Sequence, residues 1–160
     1  MTPKRSVAFL VAAVLVAMAS AATAQSKDPL VGAWQLNAAK SKYTPGPAPK
    51  SATTTIEAAG TGYKFTVHQA PAMGAAQDWS FTTNLAGQPS KITGNNPNAD
   101  TTSYNRVNAT TFDAVLSKGG KETQRQHIVI SADGKTRTVT TTGTDAAGNK
   151  INNVAVYDKK

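Results

Sequence analysis

The sequence predicts an all-β fold: a single antiparallel up-and-down β-barrel of about 8–10 strands. Three observations carry that expectation. From Ser51 onward, runs rich in Thr, Val, Ile and aromatics are punctuated by Gly, Asn and Asp at intervals of roughly eight to twelve residues. Within the runs apolar and polar residues alternate, the period of a half-buried strand. Beyond residue 24 no segment has a convincing 3.6-residue period. Sequential hairpins favour an up-and-down order, with the last strand returning to pair with the first.

The N-terminus is a separate object. Lys4 and Arg5 precede an apolar run over 7–19, and Ala22-Thr23-Ala24 is a small-x-small cleavage site. The run is shorter than the ~20 residues of a spanning helix. Residues 1–24 therefore read as a signal peptide and 25–160 as the barrel domain, addressed to the periplasm or exterior of a bacterium. The chain has no cysteine, which excludes a lipidated N-terminal Cys, a disulfide framework and thiolate chemistry. Its core alone must hold the domain, and a mature length of about 135 residues suffices for that.

The formal net charge is +8. Without Lys4 and Arg5, 15 basic and 9 acidic side chains remain, a net charge of +6. The excess is scattered, and no basic block with interleaved aromatics marks a nucleic-acid footprint. Solvated strand faces account for it, and weak attraction to anionic surfaces is the sharper alternative.

Taken in order, the first strand contains Val31-Gly32-Ala33-Trp34-Gln35-Leu36, with Leu30, Trp34 and Leu36 on its apolar side. Residues 37–50 are a proline-rich connection. Pro45, Pro47 and Pro49 fix φ and remove backbone donors, so neither helix nor central strand continues there. An extended path across one end of the barrel is expected.

Tyr63, Phe65 and Val67 then alternate with Lys64, Thr66 and His68, and Trp79 and Phe81 with Asp78, Ser80 and Thr82. Gly87 is read as a turn toward Ile92. A polar loop over 94–100 precedes a strand containing Tyr104 and Arg106, which share parity. Phe112, Ala114 and Leu116 alternate along the next run, and Gly119-Gly120 is a tight turn requiring positive φ. Ile128 and Ile130 share a face. Asp133-Gly134 is the strongest hairpin signal. After it, Thr136, Thr138, Thr140 and Thr142 fall opposite Arg137 and Val139. A turn over 145–149 leads into the final strand.

Gly32-Ala33-Trp34 at the first strand and Val154-Ala155-Val156-Tyr157-Asp158-Lys159 at the last together resemble the calycin superfamily, the lipocalins and fatty-acid-binding proteins. The chain also resembles small exported bacterial proteins with a lipocalin-like domain. The resemblance implies a calycin-like barrel, with Gly32 and Trp34 closing its base. Two departures bear on the ligand. Aligned by Tyr157, the place of the family's carboxylate-binding Arg is taken by Ala155. The family's helical lid between the first two strands has no counterpart in the proline-broken 37–50.

Candidate ligand-binding residues are Tyr63, Phe65, Trp79, Phe81, Tyr104, Arg106 and Tyr157, since small-molecule sites are mostly apolar with a few polar groups. A filled core is the competing reading of the aromatics. Arg106, Arg125 and Arg137 are the arginines of the mature chain. One of them is a candidate to cap Trp34 or to hold an acidic head group, with Arg106 first and Arg125 facing outward.

His68 and His127 fall on the more polar strand faces and read as solvated, without the spacing of a metal site. No nucleophile elbow or Ser-x-x-Lys motif is present. Alternating Lys, Asp and Thr speak against the apolar outer band of a membrane barrel. The sequence thus predicts a non-enzymatic exported barrel without cofactor that binds a small apolar or amphipathic molecule. The alternative is an envelope structural or interaction domain with a filled core.

Overall fold

A computed structural model describes residues 28–160. The signal-peptide and cleavage-site readings lie outside the described residues. Eleven strands form one antiparallel, nearly closed, barrel-shaped sheet. They are β1 (Gly32–Leu36), β2 (Ser51–Ala59), β3 (Gly62–Ala70), β4 (Gln77–Thr83), β5 (Ala86–Lys91), β6 (Thr93–Gly94), β7 (Thr101–Arg106), β8 (Thr111–Lys118), β9 (Lys121–Ile130), β10 (Thr136–Thr144) and β11 (Lys150–Lys159). The sole helical element among the described residues is the 3-10 turn Ala38–Lys40. No helix there is long and apolar enough to cross a membrane.

Closure follows from two pairings. β1 lies between β11 and β2, with Trp34 opposite both Lys159 and Thr54. The other seam is crossed by residues 86–94. Their first part, β5, pairs with β7, and their last part, β6, pairs with β4. Ile92 interrupts the stretch and turns a buried side chain inward. This interruption contributes to finding eleven segments where about 8–10 strands were expected: β5 and β6 are one crossing of the barrel. At Gly94 the strand passes so close to β4 that a Cβ would overlap the Asp78 carbonyl, and φ is +109°. Only glycine fits there without displacement.

The period-two pattern decides which side chains face in. On β8, Phe112, Ala114 and Leu116 are buried while their neighbours are not, and on β10 the same holds for Arg137, Val139 and Thr141. Leu30, Trp34, Ile56, Phe65, Phe112, Ile128 and Ile130 are almost wholly enclosed. Gly119 and Gly120 have φ of 57° and 78°, as the tight turn required.

Gly87 does not make the expected turn. It lies within β5 beside a register shift between Ala86 and Pro89, with φ of 75°. The reversal is at Asn84-Leu85. There the Thr83 hydroxyl accepts from the Leu85 amide at 3.1 Å and the Asn84 side chain accepts from the Ala86 amide at 3.1 Å. These short-range side-chain acceptors stand in for a glycine turn.

Candidate functional site

Trp34 seals one end. Its ring is fully buried, its indole Nε1 donates to the Leu30 carbonyl at 3.0 Å, and Leu30 is itself buried beside it. The cation over this ring is a lysine, where the sequence suggested an arginine. Lys159 Nζ is 4.8 Å from the Trp34 ring and donates to the Pro29 carbonyl at 2.8 Å. The register explains the substitution, because β1–β11 pairing puts Lys159 opposite Trp34. Gly32, with φ of +142°, leaves room for the Lys159 stem. A Cβ there would lie 2.6 Å from Lys159 Cε.

Arg106 and Tyr63 also belong near the sealed end and do not line the lumen cavity. Arg106 shares the inward parity of Tyr104, but at the last residue of β7. Its Nη2 is 2.6 Å from Asp28 Oδ2 and 3.2 Å from the Tyr63 hydroxyl, and its guanidinium lies 4.7 Å from the Phe112 ring. Tyr63 donates to the same Asp28 oxygen at 2.6 Å. Burial pushes the Asp28 carboxyl up. The hydroxyl of Tyr63, the Leu30 amide and Arg106 more than offset this and hold it below the usual carboxylate value. Arg106 and Tyr63, two of the candidate ligand-binding residues, are thus tied to Asp28 in an internal ion pair and hydrogen-bond latch, while Tyr104, the residue that shares parity with Arg106, lines the cavity.

Between the sealed base and the opposite mouth lies a cavity of about 330 Å³. Phe65, Trp79, Phe81, Tyr104 and Tyr157 line it. Phe65 stacks on Phe81 with ring centroids 4.7 Å apart, and Tyr104 tilts against both at 5.0 and 5.5 Å. This cluster joins β3, β4 and β7 across the seam that β5 and β6 bridge. Val67, Leu116, Val139 and Ala155 add hydrocarbon wall, and Thr54, Thr102, Gln124 and Gln126 add polar groups.

The mouth is partly covered by the proline connection. Lys42 bridges Val154, the Thr44 amide donates to Asn153 Oδ1 at 2.9 Å, and the Asn152 amide donates to the Thr44 carbonyl at 3.0 Å. The strap is thereby tied to β11. Pro45, Pro47 and Pro49 then line the cavity from above, opposite Pro71 and Ala72 of the β3–β4 loop. Proline donates no backbone hydrogen bond, so this rim can face apolar matter without leaving an amide unmet.

The polar centre of the lumen is Arg137, which sequence reasoning placed behind Arg106. Only 4% of it is exposed, and its Nε and Nη1 have no hydrogen-bond partner among the described residues. Its guanidinium carbon lies 5.4 Å from the Tyr157 ring centroid. Burial pushes the Tyr104 and Tyr157 hydroxyls up, with Arg137 opposing, so both are neutral at physiological pH. Tyr43, in the strap, is likewise pushed up by burial. Thr102 Oγ1 is a second buried polar atom without a partner.

The histidines lie outside. His68 Nδ1 is 2.6 Å from Asp78 Oδ1, and His127 Nδ1 is 2.7 Å from Asp113 Oδ1. All four side chains are more than half exposed. Each pair sits directly opposite across neighbouring strands. Arg125 is exposed and forms a bidentate pair with Glu122 at 2.6 Å. No cluster of three metal-ligating side chains occurs among the described residues.

No family model, curated protein or solved structure matches the chain.

Proposed function

We propose that the protein is an exported, non-enzymatic, calycin-like barrel that binds one small apolar or amphipathic molecule in its lumen. The observation that carries the reading is the cavity of about 330 Å³ walled by Phe65, Trp79, Phe81, Tyr104 and Tyr157. It falls at the small end of the ~300–1,000 Å³ typical of ligand pockets. A barrel evolved only for stability gains by filling such a space, since an unfilled lining forgoes dispersion contacts. The apolar rim of prolines offers an entry path that costs no backbone hydrogen bonds. Gly32, Trp34 and the returning last strand support the calycin resemblance, and the apolar run with Ala22-Thr23-Ala24 supports export.

Binding is partition: apolar surface leaves water for the aromatic wall, worth about 25 cal/mol per Å², while lumen polar groups fix orientation. The reactive-looking residues, the two His–Asp pairs, lie on the outer surface away from this wall. Native mass spectrometry of protein purified without detergent tests the reading, together with titration by the environment-sensitive dye anilinonaphthalene sulfonate. A retained adduct or saturable dye binding is expected. Absence of both supports the filled-core interaction domain instead.

A further inference from the structure

We infer that Arg137 is an oxyanion receptor, and that the molecule the lumen takes is a compact amphipathic anion with its charged head on Arg137 and its apolar body against Phe65, Trp79 and Phe81. The inference rests on the lumen-binding reading and adds the charge and size of the ligand.

A guanidinium is charged at every accessible pH. Taking it out of water is costly unless an anion and hydrogen-bond acceptors replace the water. Inside this barrel the protein does not supply the anion. No ion pair among the described residues includes Arg137. Asp145 is the one acid lining the cavity, and its carboxylate is engaged within its own loop by Asn149 at 2.9 Å and the Ala147 amide at 2.9 Å. Tyr104, whose hydroxyl donates to Gln126 Oε1 at 3.4 Å, and Tyr157 stay neutral and supply no negative charge. The Tyr157 ring stabilises the cation through its face, an interaction worth at most about 2 kcal/mol and unable to meet the unpaired N–H groups.

The strand pattern shows that the position is built in. Arg137 pairs directly with Tyr157 across β10–β11 and shares the inward face of Val139 and Thr141. The side chain cannot swing to the outer face without reversing the alternation of β10. An oxyanion on an apolar body satisfies both halves of the lumen: its oxygens accept from the unpaired Arg137 N–H groups, and its hydrocarbon covers the aromatic wall. The cavity volume accommodates a body such as a ring system or a short chain.

Calorimetric titration with naphthoate and naphthamide tests this, because the two share a shape and differ in charge. The wild-type protein is expected to bind naphthoate at least about tenfold more tightly. Arg137→Met is expected to abolish that preference while still binding naphthamide, and Arg137→Lys to retain part of it. The naphthoate preference should also survive a rise from about 0.05 to 0.3 M salt, since a buried pair is weakly screened and a surface attraction is not. Equal affinities in the wild type, or a preference unchanged in Arg137→Met, would overturn the anion assignment and leave lumen binding standing. If neither compound binds, both readings fail. Circular dichroism and retained naphthamide binding verify that the Met variant is folded.

Discussion

The Arg137 guanidinium carbon sits 5.4 Å from the centre of the Tyr157 ring, across the register pair that joins β10 to β11. Two opposing effects meet in this pair. Desolvation of the cation costs several kcal/mol. The ring face returns at most about 2 kcal/mol, and two nitrogens have no protein acceptor. Desolvation wins, so the ligand-free protein carries a net penalty at this position. Arg137→Met is therefore expected to stabilise the ligand-free barrel by about 1–3 kcal/mol, measured by urea denaturation. A loss of stability would show that the arginine is satisfied internally.

The sealed end supplies a second prediction. Trp34→Phe leaves the Leu30 carbonyl without its indole donor and opens a small void, at a cost of about 1–3 kcal/mol. Trp34→Ala costs about 3–5 kcal/mol. Gly32→Ala adds a clash with the flexible Lys159 stem and a strained φ of +142°, together about 1–3 kcal/mol. Shortening Lys159 to Ala in the Gly32→Ala background removes the clash but also the cation over Trp34 and the hydrogen bond to the Pro29 carbonyl, so it is expected to recover at most part of the loss. Thermal denaturation of the single and double variants checks the series.

A pH dependence arises at Asp28. Its carboxyl is held below the usual value by Tyr63, Leu30 and Arg106 against the opposing effect of burial. A lowered folded-state pKa gives stability that is fully present above the unfolded value of about 3.9. That stability is lost as pH falls through the folded value. Asp28→Asn is expected to cost about 1–3 kcal/mol near pH 7, because it leaves partly buried Arg106 without its anion. The gap between wild type and variant should close toward about pH 2. Denaturation curves at both pH values test it, and a gap that persists in acid assigns the effect to packing.

The outer His–Asp pairs are predicted to matter little. Their side chains are more than half exposed, and pairs of this kind are worth about 0–1 kcal/mol. His68→Ala and His127→Ala should each change stability by less than about 0.5 kcal/mol and leave dye binding unaltered. A substantial loss of dye binding in either variant would point to a site on the outer face.

Much of this architecture is legible in the residues. Alternation at Phe112, Ala114 and Leu116, or at Tyr63 and Phe65, needs only the period of a strand to be read. Parity puts Arg137 on one face with Val139, opposite the threonines at 136, 138, 140 and 142, and the structure turns that face inward. Parity does not contain what separates Arg106 from Arg137. Both arginines point inward, but depth along the strand decides what they meet. Arg106 ends β7 beside Asp28, a residue 78 positions away in the chain, whereas Arg137 meets no acid. Lys159 over Trp34 was hidden similarly, because it depends on the β1–β11 register. The turn at Asn84-Leu85 rests on side-chain acceptors that carry no glycine signal, and Gly87 drew attention to a bulge instead.

Ala155 provides the most direct test of the lumen claim. It is 6% exposed and lines the cavity, so Ala155→Phe fills the space from within and leaves the rim unchanged. Titration of both proteins with anilinonaphthalene sulfonate, followed by fluorescence, compares an open lumen with a filled one. The account predicts saturable one-to-one binding by the wild type and its loss in folded Ala155→Phe. Undiminished binding by the filled variant, or none by the wild type, would contradict it.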